Sequence, residues 1–250
     1  MTTKTIAITG ATGQFGAIAL DLLKAKQANV LALVRSPEKI SGVEAHKFDY
    51  SKTEGQVEAL QGVDTLILVS SSEVGQRALQ HNNVIESAKK AGVKHIIYTS
   101  LLGATNDNTV KSLAGEHVET EAALKASGIT YTILRNGWYT ENYTASIPAA
   151  LANNAFYGSA KNGKISSVLR AELAEAAVNV ALSEGHENQT YELAGSTSWT
   201  LADLAAEISK QTGKDIPYVD IPAADYAAAL VQAGLDEGFA GLIAQWDVDA

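Results

Sequence analysis

The 250-residue sequence has no cysteine. Disulfides, thiolate nucleophiles and cysteine-based metal sites are thereby excluded. Its five histidines, at positions 46, 81, 95, 117 and 186, do not fall at metal-ligand spacing. Positive charge is scarce: 19 Lys and Arg against 28 Asp and Glu leave a formal net charge of −9. That balance argues against nucleic acid or an anionic membrane as the main partner, and its spread along the chain serves solubility. No apolar run is long enough to cross a bilayer, and no leader pattern precedes the first apolar stretch. A cytoplasmic protein is therefore expected, and the Asn-x-Thr triplets at Asn142 and Asn188 are read as chance. The length permits a large core in one domain or one and a half.

Glycine, by contrast, is concentrated where it carries meaning. Thr9-Gly10-Ala11-Thr12-Gly13-Gln14-Phe15-Gly16 directly follows the apolar run Ile6-Ala7-Ile8 and precedes an amphipathic stretch. Strand, glycine loop and helix in that order predict a dinucleotide phosphate loop, the alternative being a plain strand–turn–helix connection, which also uses glycine. Gly10 permits the tight turn, Gly13 lets the backbone approach a pyrophosphate, and Gly16 lets the helix pack closely on the strand. The helix start presents free N–H groups and a partial positive charge. Gly10, Thr12, Gly13, Gln14, Phe15 and Gly16 are the candidate phosphate contacts. The spacing is G-x-x-G-x-x-G rather than the usual G-x-G-x-x-G.

The second apolar strand, around residues 29–34, ends on Arg35-Ser36 with Lys39 close behind, and carries no Asp or Glu there. A carboxylate at that turn binds a ribose 2′-hydroxyl, whereas a guanidinium attracts a 2′-phosphate. Arg35 therefore predicts NADPH as the cofactor, the alternative being a solvated arginine.

Strands are expected over 5–9, 30–34, 46–48, 65–68, 95–98 and 131–134, with helices over 16–26, 54–60, 73–91 and 113–127. This alternation predicts an α/β fold, a Rossmann-type doubly wound parallel sheet, with a smaller α-rich C-terminal lobe. The expected domains are 1–145 and 146–250, with 171–196 returning to the first. In the second half, 142–154 reads as helix broken by Pro148. A short strand is expected over 165–168 and another over 191–193. Helices are expected over 171–182, from a Ser198 cap to Lys210, and over 225–234.

Ligands of such folds bind at the carboxyl ends of the strands. Ser70, Ser71 and Ser72 follow the fourth strand and are expected along the cofactor, unless they are ordinary turn residues. Asp49-Tyr50 is a candidate adenine flank. Thr99-Ser100-Leu101 follows the fifth strand, and Asn136-Gly137-Trp138-Tyr139 the sixth. Asn136 is assigned to the cofactor. Leu101, Trp138, Tyr139 and Tyr143 are assigned to a planar acceptor, the competing reading of the aromatics being core.

Together the loop at 9–16, Ser70-Ser71-Ser72-Glu73-Val74-Gly75-Gln76-Arg77, Glu116-His117-Val118-Glu119-Thr120-Glu121 and the segment from Leu134 to Tyr143 resemble the NmrA-like group of atypical short-chain dehydrogenases, specifically its bacterial NAD(P)H:quinone oxidoreductases of type 2. The likeness runs through nearly the whole chain. The triphenylmethane dye reductases are a sister group, typically different around Ser70–Arg77 and Gly137–Tyr143. Family members continue beyond the position of Ala250.

The resemblance also marks an absence. The Tyr-x-x-x-Lys relay of ordinary short-chain dehydrogenases falls on Leu113 and His117 here, and leucine donates no proton; Ser100 occupies the family's serine position. A quinone, being a strong hydride acceptor, needs mainly positioning and exclusion of water. The resemblance thus implies an NADPH-dependent quinone reductase without flavin or metal. Its alternatives are a reductase of other conjugated acceptors such as triphenylmethane dyes, and a non-catalytic NADP(H)-sensing protein. His117, Asn142 and Tyr139 are the catalytic candidates, with His117 read equally as structural. A small quinone-like molecule is the expected partner, nucleic acid is not, and a homodimer stays open.

Overall fold

The computed structural model describes residues 4–104 and 111–250, with the side chains of 111–113 outside the description. In chain order, β1 (Thr5–Thr9), α1 (Gln14–Ala25), β2 (Asn29–Val34), β3 (Glu44–Lys47), α2 (Gln56–Ala59), β4 (Thr65–Leu68), α3 (Arg77–Ala91), β5 (His95–Leu101), α4 (Lys111–Ala126) and β6 (Thr130–Asn136) alternate as expected. They are followed by α5 (Thr140–Thr144), α6 (Ile147–Asn153), β7 (Phe156–Gly158), α7 (Arg170–Leu182), β8 (Gln189–Leu193), α8 (Leu201–Thr212), β9 (Tyr218–Asp220), α9 (Ala223–Gln232) and α10 (Glu237–Val248). The chain divides into two compact units, one of residues 1–137 and 170–193, the other of 138–169 and 194–250. No helix among the described residues is long and apolar enough to cross a membrane.

The first unit is built on a seven-stranded sheet in the order β3-β2-β1-β4-β5-β6-β8, and every pairing in it is parallel. Strand order reverses between β1 and β4, so their carboxyl ends open the crevice in which doubly wound sheets bind ligands. The interior strands are apolar on both faces because helices cover both. Helices α1 and α7 pack together on one face. On the other, Leu60, Val84, Ile85, Ala88 and Leu124 from the segments of α2, α3 and α4 close on Leu31, Leu66, Leu68, Ile96 and Tyr98.

Several boundaries differ from expectation. β5 and β6 extend to Leu101 and Asn136, whose Cα atoms pair directly, so these residues are held by the sheet itself. α3 starts at Arg77 rather than 73, because Gly75 adopts a left-handed φ of +87° that interrupts a helix.

The second unit holds a parallel pair, β7 and β9. Its core includes Ala150, Phe156, Ile165, Leu201, Ala205, Ile208 and Ile216. Residues 142–154 form two helices, and Pro148 sits in the first turn of α6, where its missing N–H costs no hydrogen bond. The α8 cap is Thr200 rather than Ser198: Thr200 and Asp203 exchange both bonds of a capping box. Residues 165–168 form isolated bridges, Ile165 to Trp199 and Val168 to Tyr139, instead of a strand.

Candidate functional site

The loop between β1 and α1 is shaped by its glycines. Gly10 takes φ +62°; its N–H donates to Leu33 O (3.1 Å), and its carbonyl accepts the Gly13 N–H (2.8 Å). A Cβ on Gly16 would overlap the Gly10 carbonyl oxygen and lie 2.7 Å from its carbon. Gly16 is thus required for helix-to-loop contact. Gly13 is the N-cap of α1, no side chain caps that helix, and its first turn holds no acid. Its leading N–H groups and positive dipole end are left for an anion. Thr12, Gly13 and Gln14 are exposed, whereas the Phe15 side chain is buried, so Phe15 can offer a ligand only its backbone.

Arg35 stands exposed at the end of β2. The Ser51 hydroxyl, chiefly, and then its backbone N–H, Lys52 and Arg35 hold the Asp49 carboxyl below its usual range against a smaller opposing effect of burial. The Tyr50 hydroxyl lies 2.6 Å from both Thr9 Oγ1 and Val69 O. Tyr50 therefore ties the ends of β1 and β4 together.

The serines after β4 are not equivalent. The Ser71 hydroxyl donates to Gln80 Oε1, and its N–H donates to His81 Nε2 at 2.9 Å. His81 Nδ1 then bonds Thr120 Oγ1 (3.0 Å), whose hydroxyl donates to Glu116 O (2.8 Å). Arg77 Nε donates to Ser71 O (2.7 Å) and Nη1 to Glu116 Oε2 (3.2 Å). Glu116 Oε1 accepts the N–H groups of Gly75 and Arg77, each at 2.9 Å, and so caps α3 from α4. The motifs at 70–77 and 116–121 are therefore one network that holds the Ser70–Gln76 loop. Half-buried Ser70 and exposed Ser72 stand at its surface. Sequence reasoning did not anticipate the roles of Arg77, Gln80, His81 and Glu116; their only signal was the joint presence of the two motifs.

His117 lies in the same interior. Its Nδ1 shares a 2.6 Å hydrogen bond with the Tyr98 hydroxyl, and it is 4% exposed. Burial, with Arg77 adding to it, lowers its pKa from 6.5 to about 3. Burial, then His117 and Arg77, lowers His81 equally. Burial thus favours the neutral form of both rings near pH 7. Ser100 is likewise engaged, donating to Glu121 Oε1 at 2.7 Å. Burial opposes ionisation of Glu121, but Arg135 and Ser100 outweigh it and its pKa is lowered. Leu113 belongs to α4, and its side chain lies outside the described residues.

These depressed histidines predict a protein that loses stability in acid. The unfolded chain binds more protons than the folded one between pH 6.5 and 3, so stability present above pH 6.5 is lost as pH falls through that window. The slope reaches about 1.4 kcal/mol per pH unit per histidine. Urea midpoints at pH 7 and pH 5 should differ, and His117→Phe should flatten the difference; an unaltered slope in that variant would refute the assignment.

Leu101 is half-buried at the end of β5. Asn136 is 3% exposed; its backbone carbonyl accepts Leu102 N–H at 2.8 Å, but its side-chain Nδ2 and Oδ1 have no hydrogen-bond partner. Trp138, Tyr139 and Tyr143 belong to the second unit. Trp138 packs edge-on against Trp246 (4.7 Å between centroids), and Tyr143 against Trp199 (5.0 Å). These aromatics thus split into two clusters, and Tyr143 packs against the core of its unit. Asn142 is exposed on α5. No cluster among the described residues is arranged to hold a metal ion.

Residues 10–184 match the NAD(P)H-binding family model. Over 252 aligned residues the chain is 52% identical to quinone oxidoreductase 2 of Escherichia coli (strain K12), covering 98% of this chain and 87% of that protein. An NADPH-dependent quinone oxidoreductase from Escherichia coli, solved in complex with NADPH, superposes with a TM-score of 0.91 at 51% identity over 97% of this chain and 88% of that one. The triphenylmethane reductase of Citrobacter sp., solved with NADP(H), gives 0.91 at 36% identity over the same shares. On these likenesses, together with its glycine loop and parallel sheet, the chain belongs to the NAD(P)H-binding family, among the NmrA-like quinone oxidoreductases and the sister triphenylmethane dye reductases.

Proposed function

We propose that this protein is an NADPH-dependent oxidoreductase that reduces quinones. The observation that carries the proposal is the uncapped start of α1 beside a loop where Gly16 leaves no room for a Cβ and Gly13 leaves only a tight one, the kind of cradle a pyrophosphate fits. Bound there, NADPH would supply a hydride for a two-electron reduction of the acceptor.

The residues divide the remaining work. Gly10, Thr12, Gly13 and Gln14, with the Phe15 and Gly16 backbone, hold the pyrophosphate. Arg35 holds the 2′-phosphate. Ser70, Ser72 and Asn136 line the ribose and nicotinamide part, and the network under Ser71 positions their loop. For the acceptor, Leu101 offers apolar surface in the first unit, and Trp138 and Tyr139 are the aromatic candidates of the second, with Asn142 as a polar group near them in sequence. His117, neutral and bonded to Tyr98, is a positioning residue for β5. A carbonyl substrate would need an acid at the position of Leu113; a quinone does not, because its reduced oxygen can be protonated by water.

The test follows NADPH absorbance with a benzoquinone, with a cationic triarylmethane dye, and with neither. The dye arm is included because of the Citrobacter likeness. The fastest oxidation is expected with the quinone, and none without acceptor. Preferential turnover of the dye would reassign the substrate, and NADPH binding with no turnover on any acceptor would make the protein a sensor. Arg35→Ala should weaken NADPH by about 1.5–3 kcal/mol, the value of a hydrogen bond to a charged group, and leave NADH nearly unchanged. Equal losses for both cofactors would remove Arg35 from the 2′-phosphate site.

A further inference from the structure

Four side chains among the described residues have a buried polar atom without a partner: Thr65, Asn136, Ser159 and Trp246. Asn136 stands apart in two respects. It alone leaves both a donor, Nδ2, and an acceptor, Oδ1, unpaired. It alone lies at the carboxyl end of a strand in the seven-stranded sheet, since Thr65 begins β4. An orphaned buried amide forfeits the hydrogen bonds it makes to water when unfolded, so its presence requires an explanation outside packing.

We infer that the Asn136 amide is the reader of the nicotinamide carboxamide, pairing with it reciprocally. The inference rests on the NADPH reading above and assigns one contact within it. A group that satisfies both Asn136 atoms must itself present one acceptor and one donor. A primary carboxamide does: its carbonyl accepts from Nδ2, and its NH2 donates to Oδ1. A quinone carbonyl only accepts and would leave Oδ1 orphaned. Position agrees with chemistry. Cofactors of doubly wound sheets enter at the β1 crevice, and β6 lies three strands away in the order β1-β4-β5-β6, on the side toward which the nicotinamide half extends. Pairing of β6 with β5 and β8 fixes the Asn136 backbone, so the amide is presented from a rigid support. Neither amide atom reaches solvent, so the pairing requires the side chains that cover it to part.

The experiment measures dissociation constants, without turnover, for three probes. They are NADPH, its reduced 3-acetylpyridine analogue, in which a methyl replaces the carboxamide NH2, and 2′-phospho-ADP-ribose, which has no nicotinamide. Wild type should prefer NADPH to the analogue about tenfold or more, because the analogue leaves Oδ1 unpaired. In Asn136→Leu that preference should fall to near one, with 2′-phospho-ADP-ribose bound as in wild type. The same variant should melt about 2–6 °C higher than wild type without ligand, since an orphaned amide is exchanged for an apolar group of similar size. A preference unchanged by the substitution would overturn the inference, as would a wild type that binds NADPH and the analogue equally, which needs no variant. Failure of wild type to bind 2′-phospho-ADP-ribose would remove the NADPH reading itself.

Discussion

Gly16→Ala is expected to cost more than any other one-carbon change in the first unit: NADPH affinity should fall at least a hundredfold, and stability by about 1–3 kcal/mol, toward the upper end of overpacking effects. The added Cβ would overlap the Gly10 carbonyl oxygen and stand 3.0 Å from Ala11 Cα. Those neighbours are backbone and cannot rotate away. Gly10 is already committed to a left-handed turn and to bonds with Leu33 and Gly13, so α1 must move off the loop and take its anion-binding end with it. Gly13→Ala places its Cβ 3.2 Å from the same oxygen. It should lower affinity with a much smaller effect on folding. Gly241→Ala is the control, because a Cβ there meets nothing within 4 Å; it lies within α10 and should gain about 0.5–1 kcal/mol. Urea unfolding and NADPH titration on the three variants give the comparison. Wild-type stability and affinity in Gly16→Ala would show that the loop tolerates displacement.

Arg77→Ala should destabilise the protein by about 3–5 kcal/mol, as breaking a buried ion pair from one side does. The side chains of Arg77 and Glu116 are only 6% and 13% exposed. Removing the guanidinium strands the Glu116 carboxylate and leaves Ser71 O without its donor. Glu116→Gln should cost less, about 1.5–3 kcal/mol, because its amide oxygen can still accept the Gly75 and Arg77 N–H groups while the charge is lost. Both variants should also raise KM for NADPH through the Ser70–Gln76 loop. Urea unfolding measures the first effect, and a loss under about 1 kcal/mol in Arg77→Ala would mean that the pair is solvated rather than buried.

The parts of the molecule that were legible in the sequence are those written in local pattern. β1, the glycine loop and α1 are neighbours in the chain, and apolar periodicity with glycine spacing encodes them directly. Arg35 follows its strand without interruption, so its place at the end of β2 was readable as well. The alternation of short apolar runs with amphipathic ones determined a parallel sheet, because parallel strands need a crossover each time. Smaller choices were not readable. Ser198 and Thr200 are equally able caps, and what selected Thr200 is the Asp203 carboxylate returning its bond. His117 read equally as an acid and a structural group, and its burial and its bond to the Tyr98 hydroxyl come from packing of α4 on β5 that no local spacing records.

By itself, then, the sequence determined the sheet, the dinucleotide loop and the sign of charge at the end of β2, since each depends on residues within one turn or strand. Only the tertiary structure decided which side chains pair across it. Glu116 caps a helix whose first residue is 39 positions away, Trp138 meets Trp246 and Tyr143 meets Trp199, and Asn136 is left with an unmet donor and acceptor. Hydrogen bonds and ring contacts depend on ångström distances and on angles set by how crossovers stack helices on a sheet. No spacing along the chain records those distances.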